Sequence, residues 1–123
     1  MSDNKRRTDA LAAALAARIL SDIWPEGMKL PADDHISDEF GVSRTVIREA
    51  YRILSGKGLL HARPRLGTHV APRHDWSFID ADMLHWLEES GLIEHYLPDM
   101  MDIRLALEPS LAALAAARAD EAA

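Results

Sequence analysis

The chain is most constrained where Phe40-Gly41-Val42-Ser43 separates two segments of helical periodicity. Glycine ends a helix by entering the left-handed region, and serine caps the next. Two helices joined this tightly must lie at an angle to one another. The upstream helix spans roughly 32–40, with Ile36 and Phe40 four apart on one face. The downstream one runs from Ser43 to Gly56 or Gly58, with Val42 and Ile47 placed to staple its entry. Val46, Ala50 and Leu54 form its buried row, with Ile47 and Tyr51 beside them. Arg44, Arg48 and Arg52 form a second row at i, i+4 and i+8, so three guanidinium groups share one stripe.

The flanking segments supply more elements. Asp9–Ser21 is alanine-rich with Leu11, Leu15 and Ile19 at helical spacing, which predicts a first helix behind a tail over 1–8. Trp24-Pro25-Glu26-Gly27 breaks it, and Met28-Lys29-Leu30 is a candidate very short strand. After the arginine-striped helix, Leu59–Ala62 and Thr68–Val70 flank a tip of Arg63-Pro64-Arg65-Leu66-Gly67, the pattern of a hairpin. A linker is expected over 72–78. Asp80 then caps a helix reaching about Ser90, with an Ile79–Leu84 staple and Gly91 closing it. A longer helix is expected from Leu97 or Pro98 toward Asp120, kinked at Pro109.

Charge divides along the same line. Residues 1–74 hold 12 Lys and Arg against 9 Asp and Glu, while 75–123 hold 2 against 11. The first part suits a polyanion and the second does not; two solvated surfaces of unlike composition are the plainer account. Without cysteine, the chain has no disulfide, thiolate metal site or cysteine nucleophile. The longest apolar runs, Ala10–Ala17 and Leu111–Ala117, fall far short of the ~18–20 residues of a bilayer span. No apolar core follows the charged start as in a signal peptide. The expectation is a soluble, cytoplasmic chain with no membrane partner.

Three helices followed by a hairpin is the element order of a winged helix-turn-helix, here continuing into further helices. The predicted class is mostly α with a small β-hairpin wing: a reader module over 9–71, then the first helices of an all-α domain over 79–123. A duplex requires donors at the start of the recognition helix and positive charge beside it. Ser43, Arg44 and Thr45 supply the donors, aided by the helix's positive end. Arg48 and a wing carrying Arg63, Arg65, Gly67, Thr68 and His69 supply the rest; Pro64 stiffens the tip and Gly67 admits close backbone approach. Duller roles exist for each. Arg48 is also within reach of Glu49 or an acid of the preceding helix, Arg52 is a solvated charge late in its helix, and the tip arginines also solubilise a turn.

The stretch Leu30–Val70, with its GVSRTVIREA core and wing ending in Gly67-Thr68, resembles the DNA-binding domain of GntR-type bacterial transcription regulators. Asp75–Leu87 and Asp102–Ala119 resemble the opening of the all-helical ligand-binding domain of the FadR subfamily, and the Trp76 segment is most similar to regulators of sugar-acid catabolism. The resemblance implies a nucleoid-associated regulator, a repressor by expectation. It would bind double-stranded DNA at inverted half-sites as a homodimer and answer to a small carboxylate or sugar-acid effector. It implies an effector contact at Arg104, which by spacing also suits pairing with Glu108. It places a divalent metal in a part of that domain beyond Ala123, so no cofactor is expected on these residues. One departure stands out. Where the family often has Leu-Pro-Ser-Glu-Arg, this chain has Leu30-Pro31-Ala32-Asp33-Asp34, putting a carboxylate where a DNA-contacting arginine is common.

Two other classes compete. A metal-dependent enzyme would draw on His61, His69 and His74, but no helical His-x-x-x-His or Glu-x-x-His pair accompanies them. A winged helix used only for protein contacts would not explain the stripe at Arg44 and Arg48.

Overall fold

A computed structural model describes residues 2–107 and gives side-chain surroundings for 3–101. Its elements run α1 (Ser2–Leu20), α2 (Asp33–Phe40), α3 (Arg44–Gly56), β1 (Leu60–Arg63), β2 (Gly67–Val70), a 3-10 turn at Arg73–Asp75, α4 (Ala81–Glu89) and α5 (Ile93–Leu107). Leu11, Ala12, Leu15, Ala16, Ile19 and Leu20 make one buried stripe on α1. Its two alanines let α3 come close, and α3 answers with Val46, Ile47, Ala50 and Leu54, all buried. Each large side chain so buried contributes roughly 1.5–3 kcal/mol.

The expected tail over 1–8 is helix from Ser2 onward. Once the apolar stripe fixes α1 on α3, further turns cost little to add, and Asp3 favours the helix start. Thr8 is itself buried. Gly41 adopts φ 65° and ends α2 as expected, while Ser43 caps α3 by accepting from Val46 N at 3.3 Å. β1 and β2 pair antiparallel with Leu60 opposite Val70 and Arg63 opposite Gly67, so the tip is Pro64–Leu66, shorter than the sequence suggests. The short strand at Met28–Leu30 is a single bridge, Lys29 opposite His69, flanked by Leu30 N donating to Thr68 O and Val70 N to Met28 O.

The segment 72–78 is not a free linker. Trp76 and Phe78 are buried with Tyr96 of α5, ring centroids 5.6–5.9 Å apart. Trp76 Nε1 donates to Ala71 O at 2.9 Å, and Tyr96 Oη donates to Leu20 O at 2.5 Å. Arg73 lies over the Tyr96 ring at 4.8 Å. Just after α3, Lys57 Nζ reaches Asp80 at 2.8 Å and Asp82 at 2.9 Å, and Lys57 O accepts from Ser77 N. Composition changes at this point, but the core does not stop there.

Asp80 caps α4 as expected, accepting from Asp82 N and Met83 N. Ile79 and Leu84, the expected staple, are both exposed. Helix α5 starts at Ile93, four residues before Leu97, and carries Pro98 inside it. A start at Leu97 or Pro98 would place proline in the first turn, its usual place, whereas the earlier start sets buried Tyr96 on a helical turn facing the core. The Pro109 kink, the continuation to Asp120 and the Arg104–Glu108 pairing fall outside the described residues.

Gly58 has φ +78°, and a Cβ there would sit 2.0 Å from Asp75 O. Gly58→Ala should therefore destabilise the chain by about 2 kcal/mol or more in denaturant melts; parent-like stability would contradict this junction. Burial pushes the Asp80 carboxyl up, but the Lys57 ammonium and two backbone N–H groups outweigh it and hold it below its ordinary 3.8. A depressed folded-state value contributes stability that is present above the unfolded value and lost as pH falls through the folded one. Acid melts below pH ~4 should thus fall more steeply for the parent than for Asp80→Asn.

Candidate nucleic-acid interface

Burying the apolar row of α3 on α1 leaves the opposite face to solvent. Arg44, Thr45, Arg48 and Arg52 are all exposed there, and Ser43 stands exposed at the helix start. Ser43 Oγ accepts the cap bond from Val46 N, leaving its O–H free to donate. The preceding turn is latched on both sides by Ser37, which the sequence reading did not single out. Its carbonyl accepts from Gly41 N at 2.8 Å and Val42 N at 3.3 Å, and its hydroxyl donates to Val42 O at 2.6 Å. A serine five residues before the partner carbonyl was the only signal available.

The wing presents Arg63, Arg65 and Gly67 exposed, with Thr68 and His69 half-buried. Arg65 takes φ 66° at the tip, and Leu66 N donates to Arg63 O at 3.0 Å, closing a turn. Gly67 lies against the Lys29 side chain, which a Cβ would meet at 3.0 Å. His69 Nδ1 contacts Gly67 O at 3.1 Å. His61 is the cross-strand partner of His69, yet its ring turns to Asp75 at 2.8 Å. Among the described residues, no three His, Asp or Glu side chains gather as a metal set.

The arginine stripe is not bare. Arg44 Nη2 donates to Asp34 Oδ1 at 2.7 Å, Arg48 stands 3.9 Å from Asp33, and Arg52 stands 3.5 Å from Glu49. The hydrogen bond to Asp34, reinforced by its charge, holds the Arg44 guanidinium above its ordinary value. Arg48 thus meets an acid of α2, one of the two partners its spacing allowed. The Arg44 pairing is new. Arg104 lies in α5, and its side chain is outside the described residues.

Two helices joined by a tight turn, a third bracing them, and a two-stranded wing define a winged helix-turn-helix protein. The chain belongs to the gntR family of bacterial regulatory proteins, whose pattern matches residues 7–70. It is 36% identical over 116 residues to the HTH-type transcriptional regulator YieP of Escherichia coli (strain K12), covering 94% of this chain and 50% of that protein. It is 34% identical over 113 residues to the galactonate operon transcriptional repressor of the same strain, covering 92% and 49%. A solved structure described as Streptococcus agalactiae GntR superposes with a TM-score of 0.50 at 28% identity, covering 83% of this chain and 48% of that one. The chain spans about half the length of these relatives. The family is one of DNA-binding transcription regulators and not of enzymes. No helix among the described residues is long and apolar enough to cross a membrane.

Ser43→Ala should cost roughly 0.5–2 kcal/mol of stability through the lost cap. Thermal melts showing no loss would mean that α3 does not depend on this cap.

Proposed function

We propose that this chain is the DNA-reading head of a metabolite-responsive repressor, of the FadR kind within its family. The observation carrying this reading is the exposed Arg44–Arg48 stripe at the start of a helix whose opposite row, Val46, Ile47, Ala50 and Leu54, is buried. In this reading Arg44, Thr45 and Arg48 meet base edges in the major groove. Ser43 and the first-turn N–H groups take a phosphate, and Arg63, Arg65, Gly67, Thr68 and His69 place the wing on the neighbouring backbone. Two copies bind inverted half-sites, since such readers pair by two-fold symmetry. The protein works in the cytoplasm, at the nucleoid.

The effector is a small carboxylate or sugar acid, supported by the name of the galactonate operon repressor. It is bound in the longer protein, with Arg104 as one contact; a divalent metal, where the longer domain carries one, is held by residues other than those described here. Leu97 and Met101 of α5 are exposed, an apolar face suited to further helices of that domain.

The test is selection of a duplex from a random pool, followed by titration at several salt concentrations. Arg44→Ala should cost roughly 1–3 kcal/mol and relax preference at one base pair. Arg65→Ala should weaken all duplexes alike and reduce the salt slope by about 1. If Arg44→Ala binds the selected duplex as the parent does, α3 is not the recognition helix. Calorimetric titration of this chain with galactonate should show no binding; saturable micromolar binding would overturn the assignment of the effector site to the longer protein.

A further inference from the structure

The carboxylate at Asp34 sits where a negatively charged duplex would approach, yet it does not stand alone. Asp34 is 76% exposed and Arg44 is 68% exposed, and they meet through one hydrogen bond, Nη2 to Oδ1 at 2.7 Å. Both lie in the first turn of their helices, α2 and α3. There a carboxylate is favoured by the helix dipole and a guanidinium is disfavoured, so Asp34 offsets a repulsion that Arg44 would otherwise feel. Among the described residues this is the only side-chain hydrogen bond or ion pair of Arg44. A guanidinium carries five donors in a planar fork. With one Nη2 donor held by Asp34, the remaining donors stay available, enough for the O6 and N7 acceptors of a guanine.

From this geometry we propose that Asp34 is a positioning residue that sets sequence specificity by acting through Arg44. The inference rests on the DNA-reading role proposed above. On a matching duplex, Arg44 contacts the base edge while still held by Asp34, so the pair survives binding. On a non-matching duplex, the alternative acceptor for Arg44 is a phosphate. A phosphate that draws the guanidinium competes with Asp34 for it, and the carboxylate beside it repels that same phosphate. Asp34 therefore acts as an internal competitor with the DNA backbone and disfavours the wrong complex more than the right one, a form of specificity by built-in repulsion.

The experiment compares the parent chain with Asp34→Asn, Arg44→Ala, the double variant and Asp38→Asn. Asp38 is an exposed acid on the same helix and removes an equal charge. Each protein is titrated with the duplex selected by the parent and with a shuffled duplex of equal composition, over a range of salt. Melting curves establish that each variant is folded. Asp34→Asn should tighten binding to the shuffled duplex by about two- to fivefold and steepen its salt slope by about 1. Affinity for the selected duplex should stay the same or weaken, so the ratio of the two falls. In the Arg44→Ala background the same change should leave the ratio alone.

Equal change on both duplexes, no change on either, or the same fall in ratio with Asp38→Asn would each overturn the proposal. So would an effect that persists without Arg44. A parent chain with no salt-dependent duplex binding overturns the DNA-reading role itself and this inference with it. The two failures are therefore distinguishable.

Discussion

The contact between α1 and α3 governs the rest of the molecule. Ala12 and Ala16 keep α1 thin enough for Val46, Ile47, Ala50 and Leu54 to seat against it. With that face spent on the core, helical geometry alone decides where Arg44, Arg48 and Arg52 emerge. The turn before α3 then fixes where its N-terminus points. Ser37 braces that turn through both its carbonyl and its hydroxyl. Packing thus supplies the rigidity, and the charged residues inherit their position from it.

Features set by local chemistry were legible in the sequence. The left-handed Gly41, the Ser43 and Asp80 caps and the hairpin each depend on a few adjacent residues. The exposed arginine stripe was equally legible, because spacing of four places side chains on one face whatever surrounds them. What remained hidden was contact between distant parts. Charge and composition shift sharply near residue 74, and nothing local tells that Trp76 and Phe78 turn inward to meet Tyr96. The helical start from Ser2 is likewise helped by the docking of α1 further along, since Lys5, Arg6 and Arg7 in its early turns oppose the helix dipole. The partner of Arg44 is a case of the same kind. A carboxylate at Asp34 reads as repulsive toward DNA until its neighbour across the turn is known.

The junction between the reader and the following helices is bonded, packed and charged at once. Lys57, immediately after α3, grips the cap of α4 through Asp80 and also accepts from Ser77 N. Tyr96 reaches from α5 to the last carbonyl of α1. A displacement of α4 or α5 therefore has to be felt at the ends of α1 and α3, because interfaces this tightly packed shift as units and do not stretch.

The wing is secured differently. Its register is pinned at the base, where Lys29 joins β2 and Val70 closes onto Met28, while Pro64–Leu66 project beyond the last cross-strand pair. A ribbon clamped at one end transmits little from the other. Residues added or removed at the tip would change how far the wing projects without disturbing the strand pairing beneath it. The reach of the wing can thus vary independently of the face that α3 presents.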